Sequence, residues 1–256
     1  MPQNLEVAVF SSASALQAQS SGAGRVELNA SQSYPAGGTT PPIEVFRSLS
    51  PQMTIPVRLM IRPRGPPQDG TPDFIYTHEE LQVMKRDLTA FVKSGLLNQA
   101  RGDGFVFGIL KSTATGHLQV DSERCSELVQ LAGPFPCVFH RAFDPIAATS
   151  DWHIGLNDLE LSGFRGLLTA GGVGNMGDNL PRLGDIAKTS HPKGIEVVAG
   201  GGLRARVFNN EVSDLITKAD HRVWLHTAAL LKDKDGLPTE EVDANELGAL
   251  LAKMAQ

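Results

Sequence analysis

Short apolar, β-branched runs alternate with longer stretches of helical periodicity eight times along this chain. The runs are 5–10 (LEVAVF), 25–30 (RVELNA), 56–62 (PVRLMIR), 104–110 (GFVFGIL), 135–140 (FPCVFH), 166–170 (GLLTA), 195–200 (IEVVAG) and 222–228 (RVWLHTA). Their length and β-branched content predict strands. The segments between them predict helices. Thr77 to Glu80 (THEE) forms a capping box, followed by Leu81, Met84, Leu88 and Phe91 at helical spacing. Thr40 and Pro41 read as an N-cap and a first helical position. Asp121 opens a helix with Cys125, Leu128, Val129 and Ala132 on one face, and a last helix covers about 240–254. Parallel neighbours need crossover connections, so strict alternation predicts a parallel sheet. Eight units predict an α/β fold closed as a (β/α)8 TIM-type barrel. The first βα turn has no GxGxxG pattern, which argues against a dinucleotide-binding open sheet. A chain of 256 residues suits a single barrel domain, with 63–72 read as a βα loop rather than a linker.

Strand side chains alternate between two faces. One face is uniformly apolar and should pack on the helices: Leu5, Val7 and Val9; Val26 and Leu28; Val57, Leu59 and Ile61; Val223 and Leu225. The other carries Glu6 and Ala8; Arg25, Glu27 and Asn29; Arg58, Met60 and Arg62; Val138 and His140; Arg222, Trp224 and His226. Charges pointing into a barrel are costly unless they pair with one another or with a ligand. Glu6 and Arg58, near strand starts, read as a structural ion-pair layer. Glu27, Arg62, His140 and His226 lie near C-terminal strand ends, where this fold places its catalytic groups.

The residue types at that end suggest general acid/base chemistry. Imidazoles such as His140 and His226 titrate near neutrality, and Glu27 can act as base or metal ligand. Asp144 completes the candidate catalytic set by orienting Arg141 or a histidine. Arg62, Arg64 and Arg141 offer guanidinium forks to an anion, with Asn29 beside them. Gly200 and Gly201, like Gly171 and Gly172, let backbone amides approach the same ligand, unless they only form tight turns. A divalent metal ion is the candidate cofactor: Glu27, His140 and His226 would suit Zn, Mn or Fe better than Cu(I). The expected partner is a small polar or anionic molecule.

The formal charge of −5 and the lack of a basic stripe argue against nucleic acid. No apolar stretch is long enough to cross a membrane, and the first residues carry no secretory pattern. The two cysteines, Cys125 and Cys137, have no metal-site spacing, which suggests a reducing compartment and a cytoplasmic location. Cys125 falls on an apolar helix face and Cys137 on the outward face of its strand, so both read as buried small hydrophobes.

The blocks MIRPRG (60–65) and FHRAFD (139–144), together with 5–30, GGTTPP (37–42), DFIYTHEELQVMKRD (73–87), GFRGLLTAGG (163–172) and VAGGGL (198–203), resemble consecutive segments of CutC proteins. The resemblance covers about residues 5–230. It implies a TIM-type barrel, a cytoplasmic homo-oligomer and the family's copper homeostasis label. Two departures stand out. Ala8 and Asn29 occupy positions where many CutC proteins carry cysteine, and a PPQDGTP segment (66–72) lengthens the loop after the third strand. That loop could reshape the mouth of the barrel.

Overall fold

The computed structural model describes residues 4–217 and 223–255. Eight parallel strands close into a barrel: β1 (Leu5–Val9), β2 (Arg25–Leu28), β3 (Val57–Met60), β4 (Gly104–Phe107), β5 (Cys137–Phe139), β6 (Gly166–Thr169), β7 (Glu196–Gly200) and β8 (Val223–Thr227). They stand in chain order, and β8 closes on β1 with Leu5 opposite Leu225. Arg222, expected at the start of the last strand, lies outside the described residues. The helices are α1 (Ser12–Ser20), α2 (Ile43–Leu49), α3 (His78–Lys93), α4 (Ser122–Ala132), α5 (Asp144–Ala147), α6 (Trp152–Leu161), α7 (Leu180–Ser190), α8 (Asn210–Thr217) and α9 (Ala244–Met254). None of the described helices is long and apolar enough to cross a membrane.

The apolar face of every strand packs outward. Leu5, Val7, Val26, Leu28, Leu59, Phe105, Leu167, Val197 and Leu225 are fully or nearly fully buried, in one cluster with helix residues such as Ala15, Leu88, Leu128 and Leu183. A second cluster fills the barrel itself: Met60, Val106, Val138, Leu168, Val198 and Trp224. The register explains it. Met60 lies opposite Val106, Val106 opposite Val138, Leu168 opposite Val198, and Val198 opposite Trp224. This plug separates the floor of the barrel from most of its mouth.

Close packing leaves no room at Gly104 on β4. A Cβ there would lie 2.2 Å from the Pro136 carbonyl oxygen and 2.8 Å from Arg58 Nη1. Gly104→Ala is therefore expected to cost about 1–3 kcal/mol, the usual range for an overpacked core. Urea unfolding measures it, and an unchanged midpoint would show that the β4–β5 backbone yields freely.

Three local expectations are corrected. Thr40 does not cap α2, which starts at Ile43. Its hydroxyl instead accepts the Arg62 N–H (2.8 Å) and donates to the Arg62 carbonyl (3.2 Å), tying the β2–α2 loop to the end of β3. The last helix starts at Ala244, because Asp243 caps it by accepting from the Asn245 and Glu246 amides. Residues before it form an antiparallel hairpin, Leu230–Lys232 with Pro238–Val242. A matching hairpin, Leu110–Ser112 with Leu118–Val120, follows β4, where the sequence suggested a longer strand. The capping box at Thr77 and Glu80 and the Asp121 cap are formed.

Candidate active site

A cavity of about 540 Å³ opens at the C-terminal ends of the strands. It gathers Glu27, Asn29, Arg62, His140 and His226 from strand ends, and Arg141, Asp144 and Gly201 from the loops that follow. Ala8, from the middle of β1, also lines it, as do the aromatic rings of Phe10, Tyr34 and Phe74, and Pro66 from the lengthened loop.

Four expected residues, Arg64, Gly171, Gly172 and Gly200, are not in the lining. Arg64 turns away: its Nε donates to Glu80 Oε1 (2.5 Å) and its Nη2 to the Ile75 carbonyl (2.9 Å), over the Tyr76 ring. It fastens the loop to the start of α3. Gly200 serves packing, since a Cβ there would lie 2.9 Å from Leu168 Cδ1 and 3.0 Å from His226 Cβ.

Below the cavity runs a chain of charges that is buried except at its outer end, Glu196. Glu196 Oε1 accepts from Arg25 Nη1 at 2.7 Å, Arg25 Nε donates to Glu6 Oε2, and Glu6 Oε1 lies 2.8 Å from His226 Nδ1. The Arg25 guanidinium stacks 4.1 Å over the Trp224 ring. Glu6 is thus not part of a separate floor layer. It connects the ion pairs to the cavity histidine because β1 pairs with both β2 and β8, which sets Glu6 opposite Arg25 and His226. Glu196 was legible in principle: alternation puts it on the same face as Val198 and Gly200.

Each group is tuned by its surroundings. Burial would raise the Glu6 pKa, but Arg25, the His226 hydrogen bond and Arg58 together lower it to about 2. Burial would lower the His226 pKa, but the Glu6 hydrogen bond and the Glu27 and Glu6 carboxylates hold it above its ordinary value. Burial raises the pKa of Glu27, only partly offset by His226. Glu27 accepts one bond, from Asn29 Nδ2 to Oε1 (3.1 Å), and its Oε2 is buried without a partner.

His140 behaves differently. Burial, and then the Arg62 charge, push its pKa down to about 3, so it is neutral at physiological pH. Its Nδ1 accepts the Ala142 N–H (3.3 Å), which places the proton on Nε2, and Nε2 has no partner. The expected ligand set of Glu27, His140 and His226 does not converge. Among the described residues, the three groups within 4.8 Å of one another are Glu6, Glu27 and His226. The reason is topological, since β5 lies across the barrel from β1.

Arg62 is largely committed to structure. Its Nη1 donates to the carbonyls of Ala36 and Gly38, and its Nη2 to Asp73 (2.8 Å), which leaves only Nε unpartnered. Asp144 has both oxygens occupied: Oδ2 takes Arg141 Nε (2.7 Å), and Oδ1 takes Thr169 Oγ1 (2.7 Å) and the Ala170 amide (2.8 Å). It positions Arg141. Arg204, after β7, also lines the cavity and was not anticipated.

Both cysteines are free and buried in the cluster between strands and helices, opposite in facing to the cavity. Burial pushes the Cys125 thiol well above the usual range and the Cys137 thiol up to about 12. The thiolate is the reactive form. A thiol reagent at pH 8 is therefore expected to label neither cysteine in the folded protein and both after denaturation. Fast labelling of the native protein would contradict this placement.

Residues 3–223 match the family model described as CutC family. The chain belongs to the CutC family. The mouse "Copper homeostasis protein cutC homolog" is 38% identical over 199 residues, 78% of this chain and 65% of the mouse protein. A "family protein CutC" of Photorhabdus laumondii subsp. laumondii is 36% identical over 200 residues, 78% of this chain and 71% of its own. The crystal structure of a CutC from Streptococcus agalactiae superposes with a TM-score of 0.68 at 25% identity, covering 87% of this chain and 97% of that one. A deoxyribose phosphate aldolase from Aeropyrum pernix shares the barrel fold, with a TM-score of 0.56 at 14% identity over 88% of this chain and 85% of its own.

Proposed function

We propose that this CutC protein is an acid/base enzyme acting on a small polar, partly anionic molecule held at the mouth of the barrel. The observation that carries the reading is the cavity-lining His226, bonded from below by Glu6, beside the unpartnered Glu27 oxygen. Glu6 fixes the proton of His226 on Nδ1 and, through its charge, favours the imidazolium, which offers its second proton from Nε2. Glu27, held above the usual carboxylate range, has the basicity to take a proton from substrate. The neutral His140 offers an N–H to a substrate oxygen, and Arg141, aimed by Asp144, meets an anionic group.

Hydrogen–deuterium exchange at substrate carbon tests this directly. The protein is incubated in D₂O with a panel of small hydroxy acids, keto acids and sugar phosphates, and C–H loss is followed by NMR. Exchange by the wild type that disappears in His226→Gln supports the proposal, and no exchange with any compound speaks against it.

A second reading is favoured by the Glu6, Glu27 and His226 cluster, which could ligate a divalent metal such as Zn, Mn or Fe. Elemental analysis of wild type and Glu27→Gln decides it: stoichiometric metal lost in the variant would replace proton transfer with metal-assisted chemistry. Copper homeostasis is carried by the relatives' names. Cu(I) prefers soft thiolates. This chain places Ala8 and Asn29 at the cavity and buries both thiols elsewhere, so thiol buffering of copper finds no support in its site. A homo-oligomer and a cytoplasmic setting belong to the same proposal, on the family resemblance alone.

A further inference from the structure

One corner of the cavity holds an arginine that no carboxylate among the described residues pairs with. Arg62 is paired with Asp73 and Arg141 with Asp144. Arg204 is different: its Nη1 donates to the Leu203 carbonyl (2.8 Å) and Thr227 Oγ1 (3.0 Å), and among the described residues it has no acidic partner. Its Nε and Nη2 are left for a ligand.

The backbone in front of Arg204 adds donors. The chain turns through Gly201 (φ 112°) and Gly202 (φ 76°), conformations that side chains rarely adopt. A Cβ on Gly202 would also lie 2.4 Å from Asn175 Oδ1. Among the described residues, the amides of Gly202, Leu203 and Arg204 donate to no acceptor. Successive free N–H groups in such a turn form a concave anion-binding nest. Arg141 closes the corner. Its Cζ lies 3.3 Å from where a Gly201 Cβ would sit, and its Nη1 is not used by Asp144 or by the Gly174 carbonyl.

Three amides and two guanidinium groups outnumber what the two oxygens of a carboxylate can accept, and they match the three terminal oxygens of a phosphate monoester. The loops after the seventh and eighth strands are also a recurrent phosphate site in this fold. We propose that the corner formed by Gly202, Leu203, Arg204 and Arg141 binds the phosphate group of a small phosphorylated molecule, whose remainder reaches Glu27 and His226. The substrate class rests on the acid/base reading, whereas phosphate binding itself does not need catalysis.

Calorimetric titration with glycerol 3-phosphate and with inorganic phosphate tests the site in wild type, Arg204→Gln, Arg206→Gln and His226→Gln. The monoester is expected to bind the wild type at least as tightly as inorganic phosphate. Loss of a charge-assisted bond at Arg204 should weaken it about tenfold or more. Arg206 is exposed and outside the cavity, so its variant makes the same charge change and should bind normally. If Arg204→Gln melts early, Arg204→Lys, which keeps the charge, should give an intermediate affinity. No saturable binding, unchanged affinity in Arg204→Gln, or binding of inorganic phosphate with exclusion of the ester would overturn the proposal. His226→Gln should keep phosphate affinity while losing exchange activity. Phosphate binding without turnover in the wild type would thus remove only the enzyme, and turnover without phosphate binding only this site.

Discussion

Glu6→Gln is expected to remove about 3–5 kcal/mol of unfolding free energy, the usual cost of breaking one partner out of a buried ion pair. Glutamine keeps the shape of the side chain, so the loss is one of charge. Glu6 is 1% exposed and takes a bond from Arg25 and another from His226. Without its charge, Arg25 retains only Glu196, whose side chain is 29% exposed and so a weaker, better-solvated partner. Arg58, buried nearby with an unpartnered Nε, loses a compensating charge as well. Urea unfolding near neutral pH measures the effect.

The pH dependence carries a further signature. The folded-state pKa of Glu6 is held near 2, below its ordinary 4.5. A depressed carboxylate contributes stability that is complete above the unfolded value and is lost as pH falls through the folded one. The wild type should therefore lose stability between about pH 4.5 and pH 2, and Glu6→Gln should lose less over that window. A variant with the wild-type midpoint and the wild-type pH profile would show that Arg25 and His226 do not depend on this carboxylate.

The second large effect is on rate. Once the exchange screen returns a substrate, His226→Gln is expected to lower its turnover by about 10²–10⁴-fold, the range for loss of a positioned general acid. Glutamine fills similar space but cannot give up a proton. The raised His226 pKa means that the imidazolium survives beyond pH 6.5, and activity needing the acid is lost only as pH rises through that raised pKa. The raised Glu27 pKa means that the base becomes competent only above the usual carboxylate range. Together they predict a bell-shaped profile whose limbs belong to the coupled pair rather than to either residue. Glu6→Gln removes the carboxylate charge that raises the His226 pKa and weakens the hydrogen bond that does the same, so its alkaline limb should move to lower pH. An alkaline limb that stays in place would disconnect Glu6 from proton transfer.

Several parts of the site were readable before any coordinates, and others were not, for physical reasons. Alternation along the strands separated outward Leu5, Val7 and Val9 from inward Glu6 and Ala8, because a barrel strand has only two faces and one must meet the helices. The same alternation selected Glu27, Asn29, Arg62, His140 and His226, which share one cavity. It said nothing of which strands are neighbours across the barrel. As a metal-ligand set His140 therefore does not join Glu27 and His226, and Glu6, read as a floor residue, proved to be the partner of His226. Arg64 was read as a ligand clamp from its guanidinium fork, alongside Arg62. The two arginines diverge because the loop beyond β3 turns one toward Asp73 and Gly38 and the other toward Glu80. Arg204 went unnoticed because no strand periodicity reaches the loop that carries it.

The sequence by itself determined the barrel, the inward or outward sense of the strand residues and the family, since all three depend on patterns local to each element. Only the tertiary structure decided which charges meet, which are spent on holding loops, and which face the cavity with donors or acceptors unused. Those outcomes depend on register and closure between strands up to 220 positions apart, as with Glu6 and His226, and no local pattern encodes them.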